Sequence, residues 1–176
     1  MAGSTHQTNF TKMSDQQLGS ANKQYCILFY KYHPLSDNPG VLESYRQATV
    51  KLCASLQLTG RILIGLSNDS EGINGTLAGT KEDLDAYVMC MLGTDVTTID
   101  SVDQRRKEYI LAFRTASEQF FAKLNLPPLF LDSPNDFKWS SSSPPPSSSS
   151  NDFESSSKEG DENWFPDLHI KIVKEI

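Results

Sequence analysis

The chain has 176 residues, 38% of them hydrophobic, and a formal net charge of −6 at pH 7. That length supports one domain with a substantial core plus some appended sequence, and argues against two domains. No stretch approaches the ~20 consecutive apolar residues of a membrane-spanning helix, and the acidic balance by itself counts against a polyanionic partner.

Met1 to Gln24 is rich in Ser, Thr, Gln and Asn and has no apolar run, which fits neither a signal peptide nor a transit peptide. A disordered tail over 1–24 on a soluble cytoplasmic protein is the expectation. Tyr25 to Tyr32 then packs aromatic and β-branched residues with a single charge, the pattern of a central strand. His33-Pro34 ends it, and Ser36-Asp37-Asn38-Pro39 supplies a helix cap followed by a proline suited to the first turn. Val41, Tyr45, Ala48, Leu52 and Leu56 recur at helical spacing through Leu58, with Gly60 as the stop.

Arg61 to Leu66 reads as a second strand, Ser67 to Ser70 as a polar turn and Ile73 to Ala78 as a third strand. Thr80 with Asp83 resembles a capping box, and Leu84, Tyr87, Val88, Met91 and Leu92 form the buried stripe of a second helix closed by Gly93. Tyr109, Ile110, Phe113, Phe120, Phe121 and Leu124 predict an extra amphipathic helix over 103–124, whose Arg105-Arg106-Lys107 run reads as an exposed face. Phe137 to Ser140 is a short strand candidate. A low-complexity insertion over 141–163 is too poor in apolar residues to order itself, and His169 to Lys174 alternates like a half-buried strand. With that closing strand the order is βαββαβ: an α+β, ferredoxin-like antiparallel sheet with two helices on one face, filling residues 25–176.

The charge is unevenly distributed. Between Ser141 and Asn163, Asp152, Glu154, Glu159, Asp161 and Glu162 face the single Lys158, so that segment carries −4 and the rest of the chain −2. Cys26, Cys53 and Cys90 lie in apolar surroundings without C-x-x-C spacing, which argues against zinc and against a disulfide framework. No metal site and no cofactor are expected.

Phe29-Tyr30-Lys31-Tyr32, Gly60-Arg61-Ile62-Leu63-Ile64, and above all Glu71-Gly72-Ile73-Asn74-Gly75-Thr76 resemble the N-terminal acylphosphatase-like domain of the rhodanese-related tRNA uridine hydroxylases, oxygen-dependent enzymes that hydroxylate the wobble uridine. Phe137-Lys138, Phe165-Pro166, Leu168, Lys171 and Lys174-Glu175-Ile176 extend the likeness. Ser67 to Ser70, the 103–124 helix and the Ser/Pro tract look added, and Val173 stands where an Arg is usual. The family continues into a rhodanese domain with a reactive cysteine after this segment, so the resemblance implies a fragment without the catalytic part.

Two readings compete at the Gly-rich hexapeptide: Asn74, Thr76 and Glu71 contact an anion or RNA backbone, or the glycines only permit tight packing while Asn74 bonds the turn. Lys31, Arg61, Lys138, Lys171 and Lys174 lie on or beside strands. Interleaved with Tyr30, Tyr32 and Trp139, they would make either a basic and aromatic surface for single-stranded RNA or a plain solvated face. The resemblance therefore implies a non-catalytic accessory domain that helps bind or orient tRNA for a rhodanese-type partner domain. The alternatives are a protein-interaction module that docks such a domain or self-associates, and a small acylphosphatase-type hydrolase. The last is disfavoured because His33-Pro34-Leu35-Ser36-Asp37 lacks the glycines and Arg of a phosphate loop.

Overall fold

The computed structural model describes residues 24–33, 35, 39–65, 72–126, 128–141 and 165–173. The tail, most of the low-complexity insertion, Glu71 and Lys174 lie outside the described residues. The elements are β1 (Tyr25–Tyr32), α1 (Pro39–Ser55), β2 (Thr59–Gly65), β3 (Gly72–Gly79), α2 (Lys81–Met91), α3 (Gln104–Lys123), β4 (Phe137–Ser141) and β5 (Leu168–Val173).

All three helices close in the same way. Gln57, Gly93 and Asn125 adopt left-handed backbone at φ 53°, 69° and 54°. The next N–H then reaches back five residues: Leu58 to the Cys53 carbonyl at 2.8 Å, Thr94 to Met89 at 3.0 Å and Leu126 to Phe121 at 3.0 Å, which is the Schellman arrangement. This corrects the expected end of α1. Gln57 stops the helix, and Gly60 belongs to β2, where its φ of +123° and a Thr76 oxygen 2.2 Å from any added Cβ leave room only for hydrogen. At the N-termini, Thr80 accepts from the Asp83 N–H and Asp103 from the Arg106 N–H.

The sheet order is β4-β1-β3-β2-β5. The first four strands pair antiparallel throughout, as a ferredoxin-like sheet requires. The edge position beside β1 goes to Phe137–Ser141, and the closing strand adds to the opposite edge as a fifth member, parallel to β2. Packing explains the placement. Phe137 is buried with its ring 5.5 Å from that of Phe29, while Ile170 is buried on the other edge and its carbonyl receives Arg46 of α1 at 3.4 Å.

The core lies between the sheet and the helices, where Ile27, Phe29, Ile62, Ile64, Ile73 and Leu77 meet Leu42, Leu52, Leu84 and Tyr87. The third helix sits on this same side. Tyr45 of α1 contacts Phe113, Phe120 and Phe121 at centroid distances of 6.0, 5.7 and 5.6 Å. Arg106, expected on an exposed face, instead joins α3 to α2 through Asp83 at 2.8 Å, and Arg114 donates to the Met89 carbonyl at 3.1 Å. Asp83 is buried, so the pair ties the two helices in one register.

Truncating a fully buried aromatic ring leaves a cavity that the surroundings fill only in part, so Phe121→Ala should lower stability by about 3–5 kcal/mol in urea denaturation. A loss below ~1 kcal/mol would mean that this aromatic cluster does not hold α3 in place.

Candidate functional site

With the helices gathered on one side, strand alternation decides what the other side presents. Tyr30 pairs with Asn74, and Asn74 with Leu63, which lies beside Lys171; Leu28 pairs with Thr76, and Thr76 with Arg61, which lies beside His169. Lys138 flanks Leu28 from β4. Four strands thus bring Lys138, Arg61, His169 and Lys171 onto one face together with Leu28, Tyr30, Tyr32 and Leu63, around Asn74 and Thr76 of β3. Leu28, Tyr30 and Tyr32 are 49%, 37% and 69% exposed. Among the described residues no acidic side chain shares this face, and no carboxylate pairs with Arg61, Lys138 or Lys171. Lys138 donates to the Asn135 carbonyl at 3.0 Å.

Tyr30 and Tyr32 meet edge to face, with centroids 4.6 Å apart and planes at 89°. The Tyr30 phenol is pushed up to about 12, first by loss of solvent and then by its hydrogen bond and proximity to Tyr32. Asn74 and Thr76 are half-buried at the middle of the face, on the central strand. The Asn74 carboxamide has no hydrogen-bond partner among the described residues, so the expected bond to its turn is not formed there.

Two members of the expected basic and aromatic surface belong elsewhere. Lys31 alternates with Tyr30 and Tyr32 and so points to the helical side, where it pairs with Asp132. Trp139 likewise opposes Lys138 and lies under the Lys81 ammonium, 4.6 Å from its ring centroid. Gly75 is accounted for by packing, since an added Cβ would fall 2.2 Å from the Phe29 ring. His169 joins the face although the sequence offers no partner residue that singles it out. The His169, Lys171, Val173 alternation along β5 is the signal that places it with Lys171.

The helical side offers less chemistry. A groove of about 380 Å³ between α1 and α3 is lined by Ala48, Leu52, Tyr109, Ala112, Phe113 and Ala116, with Lys51 its one charged lining residue. A polar hollow of about 210 Å³ nearby contains Asp83, Asp103, Arg105 and Arg106, whose carboxylates both pair with Arg106. Cys53 and Cys90 are fully buried, and burial pushes the Cys90 thiol up to about 12, which suits packing and not nucleophilic attack. His33, after β1, is buried edge-on against Phe121 at 5.3 Å. Among the described residues no group of three His, Cys, Asp or Glu side chains is placed to hold a metal ion, and no helix is long and apolar enough to cross a membrane.

Known proteins share this domain. The tRNA uridine(34) hydroxylase of Enterococcus faecalis is 33% identical over 106 residues, covering 60% of this chain and 28% of that protein. Its counterpart in Staphylococcus carnosus is 33% identical over 114 residues, covering 62% and 31%, and the one in Shouchella clausii is 40% identical over 70 residues. The chain thus spans about a third or less of the length of these curated relatives. The UPF0176 acylphosphatase-like domain matches residues 25–127, a range that runs from β1 through α3. That match takes in more than half of the sequence, and the chain belongs to the UPF0176 acylphosphatase-like domain family.

Proposed function

We propose that this chain is a non-catalytic accessory domain of a tRNA uridine(34) hydroxylase, which holds or orients tRNA on its open sheet face while a rhodanese-type catalytic domain carries out the 5-hydroxylation in the cytoplasm. One observation carries the reading: Arg61, Lys138, His169 and Lys171 share a face with exposed Tyr30 and Tyr32, and no described carboxylate neutralises them. The names of the relatives make tRNA the polyanion to test.

The chemistry of such a surface is simple. Lysine and arginine side chains displace condensed counterions from phosphates, which supplies affinity without sequence preference and makes it fall with salt. Aromatic side chains add contacts to bases. The buried cysteines and the ion-paired carboxylates on the helical side stay out of the reaction.

Replacing Arg61 and Lys171 together by Gln should weaken tRNA binding at least tenfold at low salt and reduce the slope of log K against log salt by about 1.4–1.8, the value for two lost phosphate contacts. Lys31→Gln, on the other side of the sheet, should leave both unchanged. A flat salt response in the unaltered protein, or equal loss from Lys31→Gln, would contradict the assignment of this face. Binding of an isolated rhodanese-type domain, abolished by the same double substitution while tRNA binds nowhere, would favour the interaction-module reading instead.

The chain alone should also fail to modify tRNA. Nucleosides from unmodified tRNA incubated aerobically with the purified 176-residue protein should contain no 5-hydroxyuridine by mass spectrometry, and its appearance would overturn the accessory role.

A further inference from the structure

We infer that the Tyr30–Asn74–Leu63 row of the open face is a seat for one unpaired nucleobase, so that the domain engages a single-stranded part of its RNA and not a helical stem. This inference rests on the RNA-binding reading above and adds to it a position, a base-recognising residue and a substrate conformation.

The row crosses three adjacent strands, β1, β3 and β2. With strands about 4.8 Å apart it spans roughly 10 Å, enough for a single flat ring system between the tyrosine pair and Leu63. The edge-to-face contact between Tyr30 and Tyr32 covers at most one face of one ring, so the pair keeps aromatic surface free for stacking. Asn74 stands next in the row with its carboxamide unpartnered among the described residues. A carboxamide offers one acceptor and two donor hydrogens side by side, which matches the adjacent donor and acceptor atoms on the Watson–Crick edge of a base. In a duplex that edge is occupied and the ring faces are stacked, so only an unpaired base can use both Tyr30 and Asn74. Lys171 continues the row on β5 beside Leu63 and Arg61 lies one side-chain pair along β2 beside Thr76, so both cations stand at the Leu63 end of the row, placed for the phosphates next to the bound nucleotide.

The exposed tyrosines make the substitutions tolerable for folding, and Tyr30→Phe controls for ring loss against hydroxyl loss. Fluorescence anisotropy would compare a short labelled single-stranded RNA with the blunt duplex it forms with its complement, both at the same low salt. The single strand should bind more tightly than the duplex. Tyr30→Ala should weaken the single strand about fivefold or more with little change for the duplex, Tyr30→Phe should bind as the unaltered protein does, and Asn74→Ala should weaken the single strand about two- to tenfold without altering its salt slope. Equal affinity for the two RNAs, with Tyr30→Ala and Asn74→Ala neutral and Arg61→Gln/Lys171→Gln still damaging, would overturn the base seat and leave the phosphate-binding face standing. Binding of neither RNA at any salt would overturn both.

Discussion

Tyr45 in α1 is surrounded by Phe113, Phe120 and Phe121 of α3, and this contact determines which side of the sheet the third helix occupies. A helix of this length with an aromatic stripe needs an apolar surface, and the sheet has two faces that could supply one. The aromatic cluster, the Arg106–Asp83 pair and the Arg114 bond to the end of α2 all draw α3 onto the helical layer. Had it covered the other face, Arg61, Lys138 and Lys171 would have been buried without counter-charges, at a cost of several kcal/mol each. Leaving that face open keeps these cations in water, where their charge is inexpensive and available.

The same arrangement reconciles an acidic protein with the anionic partner proposed for it. Of the net −6, residues 141–163 carry −4. On the helical side Asp83 and Asp103 are engaged with Arg106, Glu43 with Arg46 and Asp85 with Lys81. At physiological ionic strength charges separated by more than about 8 Å are largely screened, so a partner at the sheet responds to the local cations more than to the whole-molecule sum. The glycine content of the hexapeptide then has a structural role: Gly75 lets the Phe29 ring settle against β3 on the side opposite Asn74 and Thr76.

Much of the fold was legible because local signals agreed. The aromatic and β-branched run gave β1 its observed limits, Thr80 caps α2 where its side chain suggests, and Gly93 closes that helix. The end of α1 was not legible, because Gln57 takes a left-handed conformation that its residue type does not advertise. Nor was the choice of edge: alternation tells which faces β4 and β5 turn inward, while their neighbours depend on Phe137 meeting Phe29 and Ile170 meeting α1. Lys31 and Trp139 leave the aromatic surface for a different reason. Period-two alternation already places each on the face opposite its neighbours Tyr30, Tyr32 and Lys138. Arg106 needed the tertiary structure, since its partner Asp83 lies on another helix.

The central claim is a division of labour between the two sides of one sheet: helices and core on one, RNA on the other. Backbone amide chemical-shift mapping on isotope-labelled protein, titrated with a tRNA anticodon stem-loop, tests it most directly. The account predicts shifts concentrated at Leu28, Tyr30, Arg61, Asn74, Thr76, Lys138 and Lys171, with α3 undisturbed. Shifts clustered along the α1 and α3 groove at Ser44, Lys51 and Tyr109, with the open strands unmoved, would contradict it.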